Sequence, residues 1–425
     1  MRKFIRCDGT TRPRSLSARY RRRGDCGNLL NLVTRRELLL GTAGGWLVEQ
    51  VWAGEAAGSA SADTLTALAG KKPLIRRALR PPNFETPLAD LAAPFTRNDA
   101  FFVRYHLAVV PHVDPAAWRL QIAGASAQRP LTLSLKELRG GFEHVSVVAV
   151  NQCAGNRRGL FTPRVPGVQW GNGAMGNARW RGVRLRDVLQ RAGVAPDALE
   201  VVFDGADSPV LPATPDFLKS LPIERALDEN TLIAFEMNGQ PLPHWNGAPA
   251  RLIVPGWVGT YWVKHLTAIR IEPQPFDGFW MKAAYRVPTG AFPGRRFASQ
   301  ENAETTPVTE LMVNSLITSH VSGARLRRGE RVELAGKAWD GGAGIEGVEV
   351  SADRGQSWRE ATLQPDLGRF AWREFHFALD TSRPGPLDVA VRARSRGGAK
   401  QPDKLTPNPS GYHDNIVQSV SLEVA

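Results

Sequence analysis

Cysteine is scarce in this chain, with three residues among 425. Cys7 and Cys26 fall in a basic N-terminal stretch, so Cys153 is the only thiol in the rest of the sequence. A lone thiol cannot form an internal disulfide, and it lacks the partner cysteines that a structural zinc or iron–sulfur site requires. Cys153 is therefore a candidate nucleophile or a candidate soft metal ligand. The neighbouring Arg157 and Arg158 favour its thiolate form.

Long apolar runs, glycine-rich phosphate loops and haem-attachment pairs are also missing. Glycines and Glu49 dilute the apolar segment 41–53, which argues against a membrane anchor. No glycine-rich loop stands between a strand and a helix, so nucleotide binding has no support, and no CxxCH motif is present to attach haem.

Residues 1–62 hold 11 Lys and Arg against 5 Asp and Glu, and so carry about half of the chain's net charge of +13. The remaining charge suits anionic small molecules or an acidic partner surface and does not indicate nucleic acid.

Residues 1–62 resemble an export leader rather than a folded domain. The pair Arg35-Arg36 precedes the apolar segment 41–53, and small residues suited to a signal peptidase follow from Ala56 to Ala62. Twin arginines ahead of a short apolar segment are typical of the twin-arginine signal, which exports proteins in the folded state. The leader therefore predicts a periplasmic protein without a membrane anchor in its mature form. The alternative is a basic disordered tail with a chance arginine pair.

Residues 63–304 predict an α+β domain rather than a doubly wound sheet. Helical signals are few: a helix start at Leu135–Leu138 and apolar residues at helical spacing in 184–192. Short runs rich in β-branched residues outnumber them. We expect strands at Val145–Val150, Leu199–Phe203, Thr231–Met237 and Arg251–Val254.

The pattern changes near residue 305. From Leu311 onward, apolar and polar residues alternate in short runs that Gly, Asp and Pro separate. This spacing predicts an antiparallel, immunoglobulin-like β-sandwich over residues 305–425. Its clearest strands are expected at 331–336, 348–351, 372–379 and 387–393.

The residue types that carry chemistry concentrate in a few segments of the first domain. In FFVRYH (101–106), Arg104 and His106 are expected on the same side of one strand. The other segments are NQCAGNRR (151–158), QWGNGAMGNARW (169–180), PARLIVPGWVGTYWVKHL (249–266) and WMKAAYR (280–286).

Taken in this order, these segments resemble the sulfite oxidase family of molybdenum enzymes. The region from 305, with its closing segment PNPSGYHDN (407–415), resembles the dimerisation domain of that family. The resemblance covers nearly all of the chain after the leader. It implies a sulfite-oxidase-type molybdopterin-binding domain over 63–304, followed by an immunoglobulin-like dimerisation domain over 305–425.

The resemblance also implies the cofactor and the substrate pocket. One molybdenum–molybdopterin per chain is expected, with Cys153 as the protein's metal ligand, because soft thiolates suit such a metal. Arg104 and Arg158 match the positions that bind the oxyanion, and guanidinium groups bind such anions through paired hydrogen bonds. Trp170 and Tyr285 match the pocket aromatics. These four residues are the predicted catalytic set.

Further matches imply contacts with the pterin or its phosphate. The predicted cofactor-binding residues are Phe102, Val103, Arg104, Tyr105, His106, Cys153, Asp207, Asn246, Arg251, Trp262, Val263 and Lys264. Asp204 is a rival to Asp207 for the pterin nitrogens. Asn246 stands where the vertebrate pattern places histidine, and Tyr261 stands where it has arginine.

The function that the resemblance implies is oxidation of sulfite to sulfate by oxygen-atom transfer. Because the chain has no haem motif, the electrons are expected to pass to a separate acceptor, such as a periplasmic c-type cytochrome. A homodimer, or a heterodimer with a haem subunit, is expected. The alternatives are a sulfane dehydrogenase or a sulfoxide reductase on the same scaffold, and a non-catalytic periplasmic binding protein.

Overall fold

The computed structural model describes residues 65–425, which lie within one compact unit, Gly58–Ala425. The predicted export leader at 1–62 falls outside the described residues. Strands dominate the described part, where only two α-helices exceed four residues. None of its helices combines the length and the apolar character needed to span a membrane.

The two longer helices, α1 (Leu135–Gly140) and α2 (Leu185–Ala192), lie where their sequence signals predicted them. A reciprocal capping pair begins α1: the backbone N–H of Glu137 donates to Ser134 Oγ, and the backbone N–H of Ser134 donates to the Glu137 carboxylate, at 3.2 and 2.8 Å. Helix α2 buries Leu185, Val188, Leu189 and Ala192, which share one face because of their spacing. Two single-turn helices follow, α3 (Ile223–Ala226) and α4 (Phe279–Lys282).

A small antiparallel sheet opens the described chain. Its strands are β1 (Leu65–Thr66), β2 (Leu74–Ala78), β3 (Asn83–Glu85) and β4 (Val103–Arg104), in that order. The single strand expected over FFVRYH is wrong, since β4 pairs with β3 through two residues and ends before His106.

A five-stranded sheet follows. It comprises β5 (Arg119–Ala123), β6 (Leu131–Ser134), β9 (Glu200–Gly205), β10 (Lys219–Pro222) and β14 (Leu266–Glu272). The spatial order is β10-β9-β14-β5-β6, in which only β14 and β5 run parallel. The loop between β9 and β10 lies at one end of this sheet and carries Asp207.

The third sheet positions the thiol. Its strands are β7 (His144–Gln152), β8 (Met175–Arg184), β11 (Leu232–Met237), β12 (Gln240–Pro241) and β13 (Arg251–Ile253). Strands β7 and β8 pair over nine residues, from His144↔Val183 to Gln152↔Met175. Because β7 ends at Gln152, Cys153 is the first residue beyond the sheet. The strands predicted at 145–150, 199–203, 231–237 and 251–254 are confirmed within a residue or two.

A short pair, β15 (Arg286–Pro288) and β16 (Thr305–Pro307), joins the end of the first domain to the start of the C-terminal region. Nine strands follow: β17 (Asn314–Ile317), β18 (Arg325–Leu326), β19 (Val332–Trp339), β20 (Ile345–Ser351), β21 (Arg359–Glu360), β22 (Thr362–Leu363), β23 (Arg373–Leu379), β24 (Gly385–Ser395) and β25 (Gln418–Val424). They form two sheets, β17-β19-β23-β22 and β18-β25-β24-β20-β21, whose apolar side chains share one core. All pairs are antiparallel except β18 with β25. The immunoglobulin-like topology stays a prediction.

This region packs directly on the first domain. Trp339 Nε1 donates to Gln152 Oε1 at 2.6 Å, and Trp372 Nε1 donates to the carbonyl of Pro94 at 2.8 Å. The backbone N–H of Val150 donates to the carbonyl of Phe370 at 2.9 Å. Both indoles are about 1% exposed, and burying a large aromatic ring contributes roughly 2 kcal/mol or more. The C-terminal region therefore supports the end of β7, which is where Cys153 lies.

Candidate active site

A cavity opens where several chain segments meet beside the end of β7. Eleven of the predicted site residues line it: Phe102, Arg104, Tyr105, His106, Cys153, Asp207, Asn246, Arg251, Trp262, Lys264 and Tyr285. Residues more than 180 positions apart in sequence thus share one wall. The structure does not bring four other predicted residues to the cavity lining, namely Val103, Arg158, Trp170 and Val263.

The backbone holds Cys153 firmly. Its N–H donates to the carbonyl of Ala174, and its carbonyl accepts from the N–H of Asn156, both at 2.9 Å. The Asn156 side chain closes the turn, because its Oδ1 accepts from the backbone N–H of Ala174 at 2.9 Å. The thiol is free and only 7% exposed. Within residues 65–425 no cluster of three or more His, Cys, Asp or Glu could hold a metal ion, so Cys153 would serve as a single protein ligand.

Cations form one side of the cavity. Lys264 Nζ donates to the carbonyl of Arg104 at 2.6 Å. Arg251 donates from its two terminal nitrogens to the carbonyls of Asn246 and Trp262, both at 2.9 Å. Burial lowers the pKa of Arg251 to about 9. Burial, and then the charge of Arg251, lowers the pKa of Lys264 well below its ordinary value. Such crowded cations favour an anionic ligand, which would restore the charged forms.

The buried polar atoms of the lining that have no hydrogen-bond partner in the described part of the chain include Nε of Arg251 and Oδ1 of Asn151. An unsatisfied buried donor or acceptor costs about 1–3 kcal/mol, so native proteins rarely keep one without a ligand or water. One donor and one acceptor are therefore available to a polar ligand.

Of the two rival aspartates, the structure places Asp207 at the cavity. Asp204 lies within β9 and is not part of the lining. Burial raises the pKa of Asp207 to about 6, while the charge of Lys264 acts to lower it. A carboxyl group of this kind can donate or accept a proton near neutral pH, which suits contact with ring nitrogens.

Tyr285, His106 and Arg104 form a connected group. The hydroxyl oxygen of Tyr285 lies 2.5 Å from Nε2 of His106 and accepts from Arg104 at 3.4 Å. Burial, followed by the charges of Arg104, Lys264 and Lys219, lowers the pKa of His106 well below its ordinary value. The imidazole is therefore neutral near pH 7. It stacks on Phe217 with a centroid separation of 3.6 Å, which fixes the ring plane.

Arg158 lies behind the cavity rather than in its lining. Its Nε donates to the carbonyl of Ser410 at 2.7 Å, and a terminal nitrogen donates to the carbonyl of Val168 at 3.2 Å. Its guanidinium lies 5.2 Å from the ring centre of Tyr412, whose ring stacks on Tyr285 at 5.4 Å. Arg158 thus holds a C-terminal segment against the wall that Tyr285 forms.

The other three residues outside the lining are buried side chains. Trp170 is fully buried, and its Nε1 has no partner among the described residues. Val103 packs in a small cluster with Leu74, Phe84 and Tyr105. The carbonyl of Val263 accepts from the backbone N–H of Leu252 at 2.8 Å. The predicted contacts of these residues stay predictions.

Seven residues of the lining were not predicted: Phe101, Asn151, Ala154, Phe217, Trp245, Gly259 and Thr260. Five of them lie inside the quoted segments, so their positions, though not their roles, were available from the sequence. Phe217 carried no signal, because the loop after β9 has no distinctive pattern. Lys71 was also missed; its Nζ donates to Oδ1 of Asn246 at 2.7 Å and so orients that amide.

Comparison with known proteins identifies the family. The family described as "Oxidoreductase molybdopterin binding domain" matches residues 106–280, and the one described as "Mo-co oxidoreductase dimerisation domain" matches residues 305–424. Sulfite oxidase from Gallus gallus is 36% identical over 342 residues, which cover 77% of this chain and 72% of that protein. The chain belongs to the sulfite oxidase family.

Other members of the family differ in extent. The mitochondrial sulfite oxidase of Homo sapiens is 36% identical over 361 residues, which cover 81% of this chain. This chain spans 65% of the length of that relative. Among solved structures, the sulfane dehydrogenase SoxCD from Paracoccus pantotrophus is similar with a TM-score of 0.69 and 25% identity, and the match covers 82% of this chain and 88% of that one. The resemblance that the sequence segments carried is confirmed.

The cavity of this family member fits molybdopterin. The cofactor presents its metal through pterin sulfurs and needs a protein thiolate, and Cys153 is the single thiol at the wall. A phosphate-bearing tail needs cations without contacting carboxylates, and Arg251 has a free Nε–H for it. The pterin ring needs partners for its nitrogens, which Asp207 and Oδ1 of Asn151 would supply. The residues present therefore match each part of the group.

Proposed function

We propose that the protein oxidises sulfite to sulfate and passes the electrons to a separate acceptor. One observation carries the proposal: the connected group of Arg104, His106 and Tyr285 lines the same cavity as the lone thiol of Cys153. A cation and a hydroxyl donor beside a soft metal ligand suit a small sulfur oxyanion. Membership of the sulfite oxidase family supports the same substrate.

Cys153 would hold the molybdenum, Arg251 and Lys264 the phosphate, and Asp207 the pterin ring. When bound, the cofactor supplies oxygen-atom transfer and takes up two electrons. The protein's own contribution is to bind and orient the anion. Arg104 offers guanidinium N–H groups to the oxyanion, and the surrounding positive charge raises its local concentration.

Tyr285 and His106 share a hydrogen bond that fixes where the phenolic proton of Tyr285 points. Arg104 is an obligate donor, so the hydroxyl of Tyr285 accepts from it and keeps its own proton for Nε2 of the neutral His106. When an oxyanion arrives, the same hydroxyl donates to it instead. The apolar side chains of Phe102, Phe217 and Trp262 line the cavity and exclude bulk water, which strengthens these interactions.

The setting of the reaction is part of the proposal. The twin-arginine leader would export the folded, cofactor-loaded protein to the periplasm, where a c-type cytochrome would accept the electrons one at a time. The match of residues 305–424 to a dimerisation domain supports a homodimer or a heterodimer with a haem subunit.

The deciding experiment measures sulfite-dependent reduction of cytochrome c and of ferricyanide by the molybdenum-loaded protein. Turnover that depends on sulfite and disappears in Cys153→Ser is the expected result. If the loaded protein reduces neither acceptor with sulfite but turns over another sulfur compound, sulfite is not the substrate.

Sulfane oxidation is the second candidate, because the similar solved structure is that of a sulfane dehydrogenase. The same thiol and cations would serve a substrate whose terminal sulfur is bonded to another sulfur. Comparing kcat/KM for sulfite with kcat/KM for thiosulfate and for a persulfide-bearing peptide separates the two functions. A preference for the persulfide of more than tenfold would favour sulfane oxidation.

A further inference from the structure

A lysine lies buried behind the substrate end of the cavity. Lys219, on β10, is only 1% exposed and is absent from the cavity lining. Its Nζ donates to the carbonyl of Trp280 at 2.7 Å. The same Nζ lies 4.6 Å from the ring centre of Tyr261 and 5.3 Å from that of Tyr285. Tyr285 is therefore held between Lys219 at its ring and His106 at its hydroxyl.

No carboxylate neutralises Lys219 by contact. Within residues 65–425 no acidic oxygen lies within 4.0 Å of its Nζ. Glu200 is the carboxylate that most stabilises its charge, but the oxygens of Glu200 accept from the side chains of Ser299 and Gln300. Burying a cation without a partner carboxylate costs several kcal/mol, and burial, followed by the charge of Arg286, lowers the pKa of Lys219 well below its ordinary value. An anion bound in the cavity would favour its charged form. A costly buried charge beside a cavity is a candidate for a functional role.

The charge of Lys219 reaches the residues that line the cavity. In its charged form it acts together with Arg104 and Lys264 to lower the pKa of His106, which lines the cavity. Two aromatic faces stabilise the ammonium group without cancelling its charge. Its hydrogen bond to Trp280 also fixes the segment that leads to Tyr285, since Trp280 packs against both His106 and Tyr285, at 5.0 and 6.2 Å.

We propose that Lys219 is a positioning residue for the oxyanion: it holds Tyr285 from behind and, when the anion is bound, adds positive charge near the substrate end of the cavity without touching the substrate. This inference rests on the proposed oxidation of a sulfur oxyanion at the same site. A residue of β10 would then contribute to substrate affinity although it does not line the cavity.

The test compares Lys219→Met, which keeps the length and removes the charge, with Lys219→Arg, which keeps the charge. Kinetic constants for sulfite and the Kd of sulfate, measured by calorimetry on molybdenum-loaded protein, are the readouts. In Lys219→Met we expect KM and the sulfate Kd to rise about tenfold, with kcat within twofold of the wild type. Lys219→Arg is expected to recover both constants to within about threefold. The matched control is Lys282→Met, which removes an exposed lysine from α4.

A folded Lys219→Met protein with unchanged KM and sulfate Kd would overturn the proposal. So would a Lys219→Arg protein that is as impaired as Lys219→Met, because the effect would then be one of packing. If Lys219→Met does not fold, Lys219→Gln keeps a donor for the Trp280 carbonyl without the charge, and wild-type constants in that variant likewise reject the inference. Failure of the wild type to oxidise sulfite would reject the proposed function, while the sulfate affinities would still decide the role of Lys219.

Discussion

The hydroxyl oxygen of Tyr285 lies 2.5 Å from Nε2 of His106, inside the cavity that also contains the thiol of Cys153. The backbone of Tyr285 is in the left-handed region, with φ of 60°. A non-glycine residue in this conformation costs about 1 kcal/mol or more, so its surroundings must impose it. Lys219, Tyr412 and His106 surround the ring and the hydroxyl, and they hold Tyr285 in place.

Tyr285→Phe should lower kcat/KM for sulfite about 10- to 100-fold, because it removes the hydroxyl that donates to the oxyanion when the anion is bound and to His106 otherwise. Molybdenum content should not change, since the hydroxyl has no part in holding the metal. Tyr412→Phe is the matched control, as its ring stacks on Tyr285 but is not part of the lining. Equal losses in the two variants would contradict a specific role for the Tyr285 hydroxyl.

Arg104→Gln should raise KM for sulfite by about tenfold or more while molybdenum content stays near one per chain, because a neutral amide cannot replace a charge-assisted donor. The assay pairs steady-state kinetics with metal analysis. Loss of the metal in this variant would show that Arg104 supports cofactor binding and not only the substrate.

Arg158→Gln should act chiefly on stability. The change removes hydrogen bonds to the carbonyls of Ser410 and Val168, and we expect the free energy of unfolding to fall by about 2 kcal/mol. Denaturant unfolding of the variant against the wild type measures the loss. A large rise in KM at unchanged stability would instead support the anion-binding role of Arg158 that the family resemblance implied.

Asp207→Asn should weaken cofactor retention, whereas Asp204→Asn should not, because only Asp207 lines the cavity. Pterin content of the purified variants measures this difference. Asp204→Asn is the matched control, because both carboxyl groups have a pKa raised to about 6 and only their positions relative to the cavity differ.

The pH dependence of stability gives a further check on Asp207. Its folded-state pKa of about 6 exceeds the ordinary 3.8, so the folded protein binds the proton more tightly than the unfolded chain. The stability of cofactor-free wild type relative to Asp207→Asn should therefore fall by about 2 kcal/mol as pH rises from about 4 to about 6, and then level off. A flat difference across this range would contradict the burial of that carboxyl group.

Cys153→Ser should abolish molybdenum binding, to below about a tenth of an atom per chain, since a hydroxyl is a poor ligand for a soft site. Cys26→Ser, which changes a thiol in the predicted leader, should retain the metal. Metal analysis of the two proteins from parallel preparations makes the comparison.

Local patterns predicted much of this molecule. The β-branched residues along β7 and the periodicity of α2 placed those elements closely, because β-branched residues favour strands and α2 buries one face. The segments that carry the family resemblance contain most of the residues that line the cavity. Lys71 and Lys219 were missed because an isolated lysine gives no sign of burial, which depends on partners far along the chain. Arg158 shows the converse: its neighbour Cys153 lines the cavity, but tertiary contacts with Ser410 turn its guanidinium away.

The bond from Arg158 to Ser410, with Tyr412 stacked on Tyr285, limits how such proteins can recombine. A chimera that joins residues 63–304 to the C-terminal region of a distant homologue would displace the backbone carbonyl that accepts from Arg158 and lose the support of the Tyr285 ring unless segment 407–415 were carried across. The two halves are therefore expected to be inherited together, and a crossover between them would succeed only among close relatives.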